Sequence, residues 1–189
     1  MPAFDLTIYY LEMPSPEELR PSRTAVEDLE IRQARIPSPE LSRFLYTAVG
    51  GDWFWIDRLE WTYDQWLAYL SRPEVETWVA WVAGTPAGYF ELEKRPEGNV
   101  EVMYFGLIPR FIGRGLGGVL LTAAVERAWA MGGSRVTVNT CSLDGPAALP
   151  GYQARGFRVV REEALRKEFP DETPGPWPGA RPKSASGTG

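Results

Sequence analysis

The chain has 189 residues, is 44% hydrophobic and carries a formal charge of −5. That length supports one substantial core, and the acidic balance disfavours a nucleic-acid partner, whose binding domains usually show a basic stripe. A single cysteine, Cys141, excludes an intrachain disulfide framework, and the lack of any histidine removes Ser-His-Asp and Cys-His catalysis and histidine-based metal sites.

No apolar run is long enough to span a membrane. The first six residues, Met1 to Leu6, lack a basic segment followed by an apolar one, so no signal peptide is expected and the location is cytoplasmic by default. Residues Leu6–Met13 are rich in β-formers and predict a first strand. A Pro/Glu/Arg-rich connection follows, and Leu29–Arg35 reads as a short strand or an extended loop. Ser38, Pro39 and Glu40 form a helix start, with Ser as N-cap and Pro at the first helical position; this helix stops at Gly50 and Gly51. Thr62 and Gln65 make a capping box for a second helix, which ends near Arg72 and Pro73.

The period then changes. Thr77–Ala83, Ala87–Lys94 and Val100–Leu107 read as three strands joined by tight turns, an antiparallel meander. Leu116–Met131 has helical spacing and ends at Gly132 and Gly133. Arg135–Asn139 is a strand, Asp144 is expected to cap a helix reaching Arg155, and Phe157–Phe169 closes with strand. The tail from Pro170 is too rich in Pro and Gly for regular structure. The expected fold class is α/β, a mixed and mostly antiparallel sheet flanked by helices. We divide the chain into one domain over 1–169 and a tail over 170–189. Within the domain, 1–76 would supply one wall and 77–169 a ligand-binding core.

The densest signal lies between Phe105 and Gly118, where an apolar strand runs through a turn with glycine at 113, 115, 117 and 118 into a helix. Without Cβ atoms, backbone N–H groups come close to a ligand, and a helix N-terminus adds unpaired donors and partial positive charge. The combination suits phosphate or pyrophosphate. The bland alternative is a turn with no ligand. Gly113, Gly115 and Gly118 also match the dinucleotide fingerprint, but five residues precede the first glycine and the next strand ends at Val138-Asn139-Thr140 with no acid. A P-loop fails because no Lys-Ser/Thr follows.

Two motifs carry a family resemblance. Leu107-Ile-Pro109 followed by Gly115-Leu-Gly117, opening a helix, is similar to the coenzyme A turn of the GNAT superfamily of acyl-CoA-dependent N-acyltransferases. The family's Arg or Gln falls on Ile112; the alternative register from Arg110 restores a basic residue but is out of step with Pro109. Ala148 to Phe157, with Tyr152 four residues before Gly156-Phe157, resembles a second family element, although Pro150 and Gly151 displace its Leu. The resemblance spans roughly residues 77–160.

It implies acetyl-CoA as cosubstrate, no metal, and direct attack of an amine on the thioester through a tetrahedral intermediate. The amides of Ile112, Gly113, Arg114, Gly115, Leu116, Gly117 and Gly118 would bind pyrophosphate. Phe105 and Leu107 would offer backbone groups to the thioester and pantetheine. Asn139 would end a strand that splays to admit pantetheine. Glu101 stands where some members carry a catalytic base, with Glu91 next in line and also a candidate acceptor contact; Tyr152 would be the acid that protonates the departing sulfur. Strict period two puts Glu101, Met103 and Phe105 on one face, and Val102 and Tyr104 on the other. Each carries a plainer alternative: a solvent-facing glutamate, a packing tyrosine, a turn-satisfying asparagine. Cys141 reads as inert, because no base stands near it in sequence.

The acceptor wall would come from the aromatic stretch Trp53, Phe54, Trp55, Trp61, Tyr63 and Trp66. Trp61 and Trp66 read as core, and Trp53 and Trp55 as pocket residues that suit an aromatic or cationic amine. A small-molecule amine is the first choice of partner, a protein amine the second; no nucleic acid or membrane partner is expected. Dimerisation is common in that family, which leaves a homodimer open. A CoA-binding module without chemistry and an interaction protein using exposed tryptophans are the non-enzymatic rivals.

Overall fold

A computed structural model describes residues 3–180 of the chain. Seven strands form one sheet: β1 (Ala3–Met13), β2 (Leu29–Gln33), β3 (Val75–Val82), β4 (Thr85–Lys94), β5 (Asn99–Leu107), β6 (Arg135–Cys141) and β7 (Arg158–Glu168). Four helices accompany them: α1 (Pro39–Gly50), α2 (Tyr63–Leu70), α3 (Leu116–Ala130) and α4 (Ala148–Ala154). Met1, Pro2 and 181–189, which include the end of the expected tail, lie outside the described residues. Residues 170–180 hold no helix or strand.

The helix starts follow the local code. Ser38 accepts from the Leu41 amide at 3.2 Å. Thr62 and Gln65 satisfy each other's backbone, with Gln65 Oε1 accepting from the Thr62 amide at 2.7 Å. Asp144 does not cap α4 as expected. Its carboxylate instead accepts from the Thr140 hydroxyl at 2.6 Å and the Cys141 amide at 2.8 Å, closing the turn after β6. This local side-chain-to-backbone bond competes with capping, and α4 starts later, after Ala147.

The sheet order is β2-β3-β4-β5-β6-β1-β7. β3, β4 and β5 form the predicted antiparallel meander. β5 and β6 are parallel, as the intervening helix α3 requires. β1 fills the place between β6 and β7, antiparallel to both. One face of the sheet buries Leu11, Phe90, Val100, Val102 and Val138 against α3. The other buries Val79 and Tyr89 against Leu45 and Val49 of α1.

One sequence expectation fails at a single residue. The β4–β5 register pairs Glu91 with Tyr104 but Leu92 with Val102, so Met103 is an extra residue in a β-bulge. Period two therefore resets. Phe105 joins Val102 on the α3 face, and Tyr104 turns to the α1 side with Glu101.

The α3 face is tied down by one ion pair. Arg127 of α3 grips Glu76 of β3 through Nε and Nη2, at 2.7 and 2.6 Å, and the Trp78 indole adds a bond at 2.8 Å. Burial pushes the Glu76 carboxyl up, but the Arg127 and Trp78 hydrogen bonds outweigh it and the net shift is downward. Such a group stabilises the fold above its unfolded pKa, near 4.3, and loses that contribution as pH falls through its lower folded value. We expect Glu76→Gln to cost about 1 kcal/mol at pH 7 in chemical denaturation, with wild type and variant converging toward about pH 3. An equal gap at both pH values would show that packing, not charge, is responsible.

Candidate active site

β5 and β6 pair only as far as Val102 and Val138. Beyond that point they part, and a cleft of about 630 Å³ opens between them. One wall is β5 from Val102 to Leu107; the opposite wall is β6 from Val138 to Cys141. Because β6 no longer covers it, the inner edge of β5 presents free backbone groups to the cleft.

The glycine turn stands at one end. Gly113 and Gly115 have φ of +81° and +78°, the left-handed region that glycine enters without cost. Gly115 is the N-cap of α3 and offers no side chain, so the first-turn amides of a fifteen-residue helix have no capping oxygen. Ile112, Gly117 and Gly118 line the cleft. Leu116 is buried in a small core with Ala87 and Phe111, so only its backbone could serve a ligand. Arg114 stands outside the lining, its guanidinium 5.6 Å from the Phe111 ring. A Cβ on Gly117 would meet only Leu107, at 3.7 Å; one on Gly115 would collide with Thr24 at 2.8 Å.

Tyr152 projects from α4 into the cleft, its ring packed on Phe105 at 6.0 Å and Phe157 at 5.9 Å. Burial, and secondarily the Asp144 carboxylate, push its hydroxyl well above the ordinary tyrosine range. Burial and Asp144 also push the Cys141 thiol up, so this cleft residue is a poor nucleophile near neutral pH. Asn139 lines the cleft one residue past the last β5–β6 pair and donates to Glu101 at 3.2 Å.

The two glutamates are placed differently from Tyr152. Glu101 is ion-paired with Arg95 at 2.8 Å and is not among the residues lining the cleft. Glu91 is 1% exposed, sits beneath α2 and is not among the residues lining the cleft. It takes a two-pronged grip from Arg58, at 3.1 and 3.0 Å, and a bond from the Tyr69 hydroxyl at 2.9 Å. The same Tyr69 hydroxyl lies 3.0 Å from Glu93, so its one proton is shared between the two carboxylates, and Glu93 also holds Arg72 and Arg95. Burial and these carboxylates raise the Tyr69 hydroxyl, so it stays a donor. The Arg58 guanidinium is 4.2–4.6 Å from the ring centroids of Tyr69, Tyr104 and Trp61. A polar network thus runs from Arg58 through Glu91, Tyr69, Glu93 and Arg95 to Glu101 and Asn139.

Trp53, Phe54 and Trp55 line the far end of the cleft, whereas Trp66 is buried and Trp61 packs against it. Residues 36–157 match the acetyltransferase (GNAT) family model, about two thirds of the chain. The chain belongs to the GNAT acetyltransferase family. No curated protein matches it. Among solved structures, a GCN5-related N-acetyltransferase from Sphaerobacter thermophilus aligns with 87% of this chain and 52% of its own, at 18% identity and a TM-score of 0.65. One from Kribbella flavida gives 85% and 56%, at 15% identity and 0.62. The chain therefore spans little more than half the length of these two. A GNAT family acetyltransferase from Elizabethkingia anophelis, solved with acetyl-CoA bound, aligns with 72% of this chain and 80% of its own, at 20% identity and 0.53.

In this GNAT cleft, several lining residues escaped the sequence reading. Leu6 and Ile8 of β1, Leu165 and Lys167 of β7, and Phe169 arrive from the two ends of the chain. Only the strand order brings them there, and no local pattern encodes it. Asp57 and Arg155 also line the cleft.

The burial of Glu91 generates a test. Removing one partner of a buried ion pair costs about 3–5 kcal/mol, because the other charge is left uncompensated. Glu91→Ala should therefore lower Tm by roughly 10 °C in a thermal melt. A change of under about 2 °C would mean that Arg58 reaches water and is not bound as described.

Proposed function

We propose that the protein is an N-acetyltransferase that moves the acetyl group of acetyl-CoA to the amine of a small-molecule acceptor. The observation that carries this reading is the bare inner edge of β5, facing a cleft with an uncapped, glycine-opened helix at one end and aromatic rings at the other. The acetyl-CoA complex of the Elizabethkingia anophelis relative supports the choice of donor. Residues Ile112 to Gly118 would hold the pyrophosphate through backbone amides, and the β5 edge at Phe105 and Leu107 would meet the pantetheine arm. No helix among the described residues is long and apolar enough to cross a membrane; a cytoplasmic site of action is part of the proposal.

The amine nitrogen attacks the thioester carbonyl, a C–N bond forms and the oxygen becomes an oxyanion. The C–S bond then breaks and CoA leaves as thiolate. Backbone N–H groups on the β5 edge are suited to the oxyanion, because fixed dipoles need no reorganisation as charge develops. Tyr152 serves the leaving sulfur. Its hydroxyl is held above its ordinary value near 10, and a thiol ionises near 8.5, so full proton transfer to the thiolate is uphill by more than about one unit. Tyr152 therefore acts first as a hydrogen-bond donor to the developing thiolate.

A base must also take a proton from the acceptor. Glu101 is clamped by Arg95 and Asn139, so its role is to position Asn139 at the splay while water carries the proton. Tyr152→Phe should reduce kcat about 100-fold, a typical loss for a catalytic donor. Glu101→Gln should reduce it less than about tenfold with an unchanged pH profile; a loss of a hundredfold or more would restore Glu101 as the direct base.

Calorimetric titration with acetyl-CoA tests the cradle. Wild type should bind in the micromolar range. Gly117→Ala should weaken binding about tenfold or more without lowering Tm, since the added methyl meets only Leu107 and fills cleft space. Unchanged affinity in that variant, or no binding by wild type, would remove the glycine turn as the CoA site.

A further inference from the structure

Resting on the acetyltransferase reading, we propose that the acceptor is a primary amine on an aromatic body, received in a pocket that the two ends of the chain complete. The acceptor end of the cleft is lined by Leu6, Trp53, Phe54, Leu165 and Phe169. Phe4, Phe54 and Phe169 form a three-ring cluster, with centroids 6.0, 5.4 and 6.0 Å apart. They come from the N-terminal strand, the loop after α1 and the residue after β7, so no one segment builds this cluster, of which Phe54 and Phe169 line the cleft.

Phe54 is the keystone. Its φ is +58°, a conformation that a bulky residue rarely adopts. Strain of this kind persists only where surrounding contacts fix it, and it concentrates at ligand sites. Here two rings hold it, and the chain after Phe169 locks the loop from outside. The Gly175 amide donates to the Gly51 carbonyl at 2.9 Å. The backbones meet so closely that a Cβ on Gly51 would lie 2.5 Å from the Gly175 carbonyl carbon. The start of the Trp53–Trp55 loop is thereby pinned by the C-terminal segment.

Charge decides between an aromatic amine and a polycation. The cleft has two carboxylates among its lining residues, Asp57 and Asp144. Asp57 is paired with Lys167 at 3.2 Å, and Asp144 is committed to the Thr140 hydroxyl and the Cys141 amide. Lys167 adds a positive charge at the same end, 5.4 Å from the Phe169 ring. A second or third ammonium group on the acceptor would meet Lys167 and only carboxylates that are already engaged, whereas one aromatic ring would be buried among like rings.

The test uses the full chain, acetyl-CoA, and two probes, 2-phenylethylamine and spermidine, with release of CoA thiol as readout. We expect kcat/KM for 2-phenylethylamine to exceed that for spermidine by about tenfold or more. Phe54→Asn removes the ring but tolerates the left-handed backbone, and Phe169→Leu trims the second ring. Each should raise KM for 2-phenylethylamine about tenfold with kcat nearly unchanged, while acetyl-CoA affinity by calorimetry stays at the wild-type value. Preference for spermidine, turnover of neither amine by an acetyl-CoA-binding protein, or an unchanged KM in both folded variants would overturn the aromatic-amine assignment. Failure of wild type to bind acetyl-CoA would instead overturn the transferase reading beneath it.

Discussion

Past Val102 and Val138, β5 and β6 separate, and each keeps one ladder partner as it does so. β5 stays bonded to β4 as far as Leu107 opposite Gly88, and β6 stays bonded to β1 as far as Cys141 opposite Ile8. The sheet therefore splits without losing either strand. What is given up is one row of backbone hydrogen bonds, and those groups must then find water or a ligand. The bulge at Met103 falls at this point and turns Phe105 toward Tyr152. Cleft, free backbone edge and candidate donor hydroxyl all follow from where the parallel pairing stops.

The opposite wall poses a different problem. Between α1 and α2 the chain runs through residues 51–62 without regular structure, yet it must hold Trp53, Phe54 and Trp55 in fixed positions. A loop of this kind is normally mobile. Here Arg58 anchors it, buried among aromatic rings and gripped by Glu91 of the central strand β4. A buried ion pair adds little net stability over a well-packed apolar group. Its directional bonds do fix a loop relative to a sheet, and the network carries that register on through Glu93 and Arg95 to Glu101 and Asn139 at the splay.

The parts legible in the sequence are those with local causes. The Ser38 cap, the Thr62–Gln65 box, the meander and the glycine turn are each written within a few residues, and the structure shows them where the pattern put them. The glycine turn and Tyr152 also carried the family resemblance. Non-local features were not legible. One extra residue at Met103 reverses the faces of everything after it, and no propensity marks a bulge. The insertion of β1 between β6 and β7 depends on strand order, which composition does not encode. Glu91 and Glu101 looked like free carboxylates because their partners, Arg58 and Arg95, reach them only through the packing of α2 and the β4–β5 turn. Asp144 looked like a helix cap because the same side chain that caps a helix also closes a turn.

The two ends of the cleft are built by different kinds of structure, and this separates their tolerance to change. The proposed donor end takes its β5 edge and its glycine turn from one continuous stretch, Val102 to Gly118, which includes a central strand and the start of a helix. Substitution of Val102 or Leu116 there disturbs the core, whereas Gly117 has room for a methyl group. The proposed acceptor end is assembled from the outer strand β7, its neighbour β1, an irregular loop and the segment after Phe169. β7 is an edge strand with charged side chains along most of its length, bonded on one side only. Side chains at Leu165, Lys167 or Phe169 can therefore change with little effect on the central sheet, and each change would reshape this end of the cleft. On the proposed reading, acceptor choice would rest on the least constrained parts of the fold, and binding of the acyl donor on the most constrained.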